Sequence, residues 1–219
     1  MPPTITHDCW SKAKIPLHSG QLSSLDGLDH MARKGDIKRQ NIIDTANRLF
    51  YQRGFHQTSL GDIAAESGVP KGNFYFYFRS KEEILEAVVD GRLERLRVRL
   101  AEWTATLADP ADRLSRMSEL LVRDAVDVIR YGCPIGSLVG ELGKQKAELK
   151  EGVLRMFDML LSWAEEQFSL LAGPKDAGDL ARQLMVRMQG AATLASAYAD
   201  ETWLLEEQQR IFAWIDRFR

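Results

Sequence analysis

Ser59 to Lys81 reads SLGDIAAESGVPKGNFYFYFRSK, and its punctuation decides the fold. Ser59 can cap a helix with Asp62 three residues on, and Leu60, Ile63 and Ala64 fall at the i, i+3, i+4 spacing of one buried face. Gly68 follows at once, where a left-handed residue ends a helix. Pro70 fits the first position of the next helix, where its missing N–H costs nothing. Two short helices joined by so tight a glycine turn must cross steeply, and small Ala64 suits their close approach. The stretch therefore predicts a helix-turn-helix over 59–79, with Ser80 and Glu83 opening a third helix as a second capping box.

The second helix carries five consecutive aromatics, Phe74 to Phe78. At about 100° per residue they cannot share one side. Phe74 and Phe78, four apart, are the expected core pair. Tyr75 lies on the opposite side, and Tyr77 at the boundary beside Lys71, Gly72 and Asn73. An over-aromatic core helix is the plain alternative. Yet tyrosine hydroxyls, a lysine, an amide and a glycine that admits close backbone approach are the groups used to position phosphates and read base edges in a major groove. Lys81 sits in the first turn of the third helix, where a cation opposes the helix dipole. Its placement asks for another reason, and a phosphate is one.

At these residues the sequence resembles the TetR family of transcription regulators. The likeness is carried by GVPKGNFYFYFRSK from Gly68 to Lys81 and by Thr58, Ser59, Asp62, Ile63 and Ala64 ahead of it, and extends over about residues 33–98. It implies an all-α fold and double-stranded operator DNA as partner. The residues matching the family's DNA contacts are Thr58, Ser59, Lys71, Gly72, Asn73, Tyr75, Tyr77 and Lys81. Phe76 departs from the polar residue or His often found at its place.

Charge is distributed in the same sense. The 219 residues have a formal net charge of −2, but Met31 to Lys81 hold nine Lys/Arg against four Asp/Glu, a surplus of +5. A basic module on an acidic remainder fits nucleic-acid contact by the first part alone, although an ordinary solvated surface can also carry +5. There is no apolar run long enough for a membrane span and no signal-peptide pattern, so a cytoplasmic, membrane-free protein is expected. Cys9 and Cys133 make no disulfide framework, and His7, His18, His30 and His56 all precede the helix-turn-helix. With no nucleophile–base pair, phosphate-binding glycine loop or metal-ligand cluster in the pattern, neither an enzyme nor a metal or cofactor site is expected.

The rest of the chain reads as helices, about nine in all. Residues 1–30 lack periodicity and are expected to form a flexible extension, with 31–82 as the helix-turn-helix domain and 83–219 as an effector-binding and dimerisation domain. Asp36 to Arg53 forms the first helix, stopped by Gly54. The helix from Ser80 runs to about Leu107, on the order of 40 Å, and links the two domains as a rod. Asp109-Pro110 opens a fifth helix reaching about Arg130. A short helix near Ile135 follows, then Ala147–Leu171, a helix capped by Asp176 and reaching about Asp200, and Trp203–Phe218.

The last two helices carry small residues (Gly190, Ala191, Ala192, Ala195, Ala197) and an apolar stripe (Leu204, Ile211, Trp214, Ile215, Phe218). An intramolecular core is one reading. A symmetric DNA reader needs a dimer, so a four-helix interface involving Gly190, Ala191, Leu194, Ile211, Trp214, Ile215 and Phe218 is expected, as the family resemblance also implies. Trp103, Met117, Leu121, Leu138, Met156, Leu160, Trp163, Met185 and Met188 are bulky or flexible apolar residues that fill either a plain core or, as the resemblance implies, a small-molecule effector cavity. Gln189, Asp124 and Glu141 could orient its ligand. Cys133, in GCPIGS, is a further effector-site residue. TetR-like regulators with a similar Gly-Cys stretch include sensors of electrophiles and oxidants, which implies a thiol-based alternative to a reversibly bound ligand. The expected function is a dimeric repressor released from its operator by a small molecule. The alternatives are thiol sensing through Cys133 and an activator of the same fold.

Overall fold

The computed structural model describes residues 26–143 and 147–219, with side chains from Gly35 onward except those of Lys71 and Ala147. Of the expected extension over 1–30, residues 1–25, Cys9 among them, lie outside the described residues. Residues 26–30 are helical and belong to the first helix. The described secondary structure is all helical: α1 Asp26–Arg53, α2 Leu60–Ser67, α3 Lys71–Tyr77, α4 Lys81–Thr106, α5 Pro110–Arg123, α6 Ala125–Tyr131, α7 Gly136–Leu142, α8 Ala147–Ala172, α9 Pro174–Tyr198, α10 Thr202–Ile215, and a closing 3-10 turn Asp216–Phe218. The chain divides into two compact units between Gly91 and Arg92, a point inside α4.

In the first unit, α2 packs on α1 and α3, and one stripe of α1 (Ile42, Ala46, Leu49, Phe50), Ile63 and Ala64 of α2, Phe74 of α3, Phe78, and Ile84, Leu85 and Val88 of α4 are all buried. Each such side chain contributes roughly 1.5–3 kcal/mol by leaving water, which is how helices of seven and eight residues hold their shape. Glu66 of α2 adds a two-armed strap to α1, accepting from Arg48 and Arg53 at 2.7 Å each. Its carboxyl is held below the usual range, chiefly by the Arg48 hydrogen bond, while partial desolvation opposes the shift.

In the second unit, α8 packs on α5, α7 and α9, α10 closes over α5 and α9, and α6 lies on α9. Asp109 caps α5 as its sequence requires, its carboxylate accepting from the Ala111 N–H at 2.8 Å ahead of Pro110. Besides the first helix, which begins at Asp26 rather than Asp36, three boundaries differ from expectation. The predicted fifth helix is divided at Asp124, whose φ of −109° and ψ of 26° break the helical run between α5 and α6. An aspartate inside a helix competes for backbone groups and favours such a break. Asp176 is not the cap of α9: Gly173 is, with Pro174 at the first position, and Asp176 sits in the first turn where its charge complements the dipole. Likewise Pro70 is the cap of α3 rather than its first residue.

The apolar stripe of α10 serves this unit's own core. Ile211, Trp214 and Ile215 are buried, as are Ala191, Ala192 and Ala195 of α9. Phe168 of α8 meets Trp214 and Phe218 with ring centroids 5.4 and 6.0 Å apart. Of the residues expected at a dimer interface, Ala191, Ile211, Trp214 and Ile215 are therefore interior and Phe218 is half-buried, whereas Gly190 and Leu194 are exposed. The physical reason is that α10 lies across α5 and α9, so its stripe is covered within the chain.

Candidate nucleic-acid interface

The capping chemistry read from the sequence is formed. The Ser59 hydroxyl accepts from the Asp62 N–H at 3.1 Å, and the Asp62 carboxylate accepts from the Ser59 hydroxyl at 2.5 Å and the Ser59 N–H at 2.8 Å. These bonds, the hydroxyl's first, hold the Asp62 carboxyl below its ordinary value. Gly68 closes α2 at φ 68°, a conformation in which any side chain is strained. The Asn73 N–H then donates to Pro70 O at 2.8 Å, starting α3.

Phe74 and Phe78 anchor α3 to the core, and the other face points outward. Gly72 and Asn73 are exposed, with open space where a Gly72 Cβ would lie. Tyr75 is 57% exposed and Phe76 is 87% exposed. Tyr77 is half-buried, with the Phe76 ring edge-on to it at 5.4 Å. The structure thus gathers Gly72, Asn73, Tyr75 and Tyr77 on one short helix. Lys71 is the first residue of that helix, and its side chain lies outside the described residues. Phe76, which the sequence reading left out of the site, is the most prominent ring on this face. The helical period held the signal, since it places residue 76 opposite Phe74 and Phe78.

Two of the expected DNA contacts are occupied otherwise. Thr58 is 1% exposed, and its hydroxyl donates to Gly54 O at 2.7 Å and Leu49 O at 3.4 Å, so it closes the end of α1. The Lys81 ammonium donates to Phe55 O at 2.7 Å and Thr58 O at 2.9 Å and lies over the Phe55 ring, 4.3 Å from its centroid. Its unfavourable place at the start of α4 thus has an internal reason: it ties α4 to the loop that leads into α2. Arg39 of α1 is likewise engaged, stacked over Phe78 at 4.9 Å.

In the second unit, Met117, Leu121, Leu138, Met156, Leu160, Met185 and Met188 are buried, and Trp103 meets Trp163 at 5.9 Å. The Trp163 indole N–H donates to the Thr104 hydroxyl at 3.0 Å, beside an open groove of about 510 Å³ that Leu100 and Met159 also line. Gln189 is half-buried, and a Cβ on Gly136 would lie only 2.8 Å from its Oε1, so any larger residue there would displace the amide. Cys133 is half-buried too, its Sγ accepting from the Gly136 N–H at 3.5 Å. Gln189, Gly136 and Cys133 thus adjoin. Glu141 is exposed on α7. Arg92, 2% exposed, donates to Pro134 O at 2.8 Å and so fastens the same Gly132–Gly136 segment to α4, a link with no sequence signature.

An exposed, aromatic recognition helix, supported by a capped helix across a glycine turn, defines a helix-turn-helix DNA-binding protein. Comparison with known proteins narrows this. Residues 42–88 match the family described as "Bacterial regulatory proteins, tetR family". An uncharacterised HTH-type transcriptional regulator from the lacX 3′ region of Lactococcus lactis subsp. lactis is 30% identical over 166 residues, 74% of this chain and 85% of its own. The HTH-type transcriptional regulator LmrA of Bacillus subtilis is 30% identical over 131 residues, 59% of this chain and 70% of its own. A solved TetR transcriptional regulator from Chloroflexus aurantiacus superposes with a TM-score of 0.74 at 27% identity, over 84% of this chain and 96% of that one. The chain belongs to the TetR family of transcriptional regulators. Among the described residues, no helix is long and apolar enough to cross a membrane.

Proposed function

We propose that this protein is a homodimeric repressor that holds operator DNA with α3 and is released by a small molecule bound in the second unit. The observation that carries the DNA reading is the outward face of α3: Gly72, Asn73, Tyr75 and Phe76 stand exposed on a helix anchored by Phe74 and Phe78. The basic surplus of the segment supports it. On this reading Lys71, Asn73 and Phe76 face bases, Ser59, Tyr75 and Tyr77 reach phosphates, and Thr58 and Lys81 hold the loop before α2 in place.

Residues 31–82 act as the DNA-reading domain and 83–219 as the effector and dimerisation domain, with α4, Lys81–Thr106, spanning the boundary. Dimerisation is supported by an outward stripe on α9, where Val186, Gly190, Leu194 and Tyr198 recur every four residues and are all exposed. Tyr198 stacks on exposed Trp203 at its end, at 5.7 Å. The effector reading is supported by the half-buried amide of Gln189, which donates to Met185 Sδ at 4.0 Å and adjoins Gly136, a polar group able to orient a ligand. Release through Cys133 chemistry is the second reading, favoured by the N–H that faces its sulfur.

The test is a gel shift of purified protein on the DNA flanking its own coding region, repeated with candidate small molecules. A retarded band abolished by a compound supports the proposal. By linkage, operator must weaken that compound's affinity by the factor by which the compound weakens operator. Equal compound affinity with and without operator would refute the switch.

A further inference from the structure

We infer that Phe76 is a base-reading residue whose ring packs on the 5-methyl group of a thymine in the major groove. The inference rests on the DNA-binding reading and adds to it a specific base and a specific atom. Phe74 and Phe78 fix the inward direction of α3, and at 100° per residue Phe76 stands about 180° from their mean. Its 87% exposure agrees, and is the highest of any large apolar side chain among the described residues. The flanking outward positions are Gly72, which offers no side chain, and Asn73. Among the described side chains of α3, Phe76 is therefore the large apolar group most open to an approaching base edge. Its ring stands edge-on to Tyr77, with centroids 5.4 Å apart at 86°, which limits the rotamers it samples before binding.

A phenyl ring has no hydrogen-bonding group, so it reads neither phosphates nor the donors and acceptors of base edges. The largest apolar group that a base edge presents in the major groove is the thymine methyl, where cytosine carries only a C5–H. Seating the ring there removes both groups from water, whereas at a cytosine the ring gains no methyl to cover and at a purine it would cover polar edges and leave them unpaired. Phe76 thus favours thymine at one position of each half-site.

The experiment starts from duplexes enriched by the purified full-length protein from a randomised pool. Each thymine of the enriched site is replaced in turn by deoxyuridine, which keeps base pairing and removes only the methyl. For wild type, one position per half-site should lose about fourfold in affinity, the worth of one buried methyl-sized group. Phe76→Ala should bind the thymine and deoxyuridine duplexes equally, and Phe76→Leu should keep part of the difference. Both variants should melt as wild type does, because the ring is solvent-exposed. A thymine-to-deoxyuridine ratio of one at every position, or a Phe76→Ala protein that retains the wild-type ratio, overturns the proposal while leaving DNA binding intact. Failure to enrich any duplex overturns the DNA-binding reading and this proposal together.

Discussion

Replacing Lys81 by Met tests whether this lysine is a DNA contact or an internal clasp. Methionine keeps most of the aliphatic stem and removes the ammonium that donates to Phe55 O and Thr58 O and covers the Phe55 ring. Hydrogen bonds from a charged group contribute about 1.5–3 kcal/mol each, and a partly exposed cation over a ring about 0.5–1 kcal/mol. The two hydrogen bonds share one donor atom, and ordering a lysine side chain costs up to about 2 kcal/mol, so a net loss of roughly 2–3 kcal/mol is expected. In a chain of this length that corresponds to a fall in melting temperature of about 5–10 °C. DNA affinity should also fall, because the loop leading to the Ser59 cap loses its tie to α4.

The assay that separates the two roles is the salt dependence of DNA binding, measured well below the melting transition. A lost phosphate contact lowers the slope of log K against log salt by about 0.9 for each contact. A lost internal clasp lowers affinity equally at all salt concentrations and leaves the slope unchanged. The expected result is a lowered melting temperature with an unchanged slope. An unchanged melting temperature with a slope reduced by about one per half-site would show that the geometry at Phe55 and Thr58 is incidental and that Lys81 serves the phosphate.

Four further variants follow from the geometry. Asp62→Asn should lower thermal stability near neutral pH, where the wild-type carboxylate is charged and bonded to Ser59. Because the native carboxyl is depressed, that contribution is complete above its ordinary value of 3.8 and lost as pH falls through the native value, so the two melting curves should converge in acid. Arg92→Met should cost about 1–3 kcal/mol by leaving Pro134 O without its buried donor, read as a shift in urea midpoint. Val186→Asp combined with Leu194→Asp, both on the exposed face of α9, should halve the mass seen by light scattering without lowering helicity by circular dichroism. Cys133→Ser should abolish any release from DNA by a mild electrophile; release of that variant by the electrophile would make the cysteine structural.

The parts of this molecule legible in the sequence are those whose causes are local. Ser59 with Asp62, Gly68 after α2 and Asp109-Pro110 at the start of α5 each act within three or four residues, so their pattern is their structure. Residues that act across the fold behave differently, because spacing alone does not reveal their partners. Lys81 reads as an exposed cation wasted on a helix start until Phe55 and Thr58, more than twenty residues earlier, are found beneath it. Thr58 reads as a surface contact until its hydroxyl is seen on Gly54 and Leu49. The stripe of α10 reads equally as interface or interior, and only the position of α5 and Phe168 decides for interior. Phe76 is the opposite case. Its direction follows from the 3.6-residue period and the two buried phenylalanines alone, although an apolar residue type taken by itself suggests core. Where a helix is short and its buried pair is known, the residue opposite that pair defines the functional face, whatever its hydropathy.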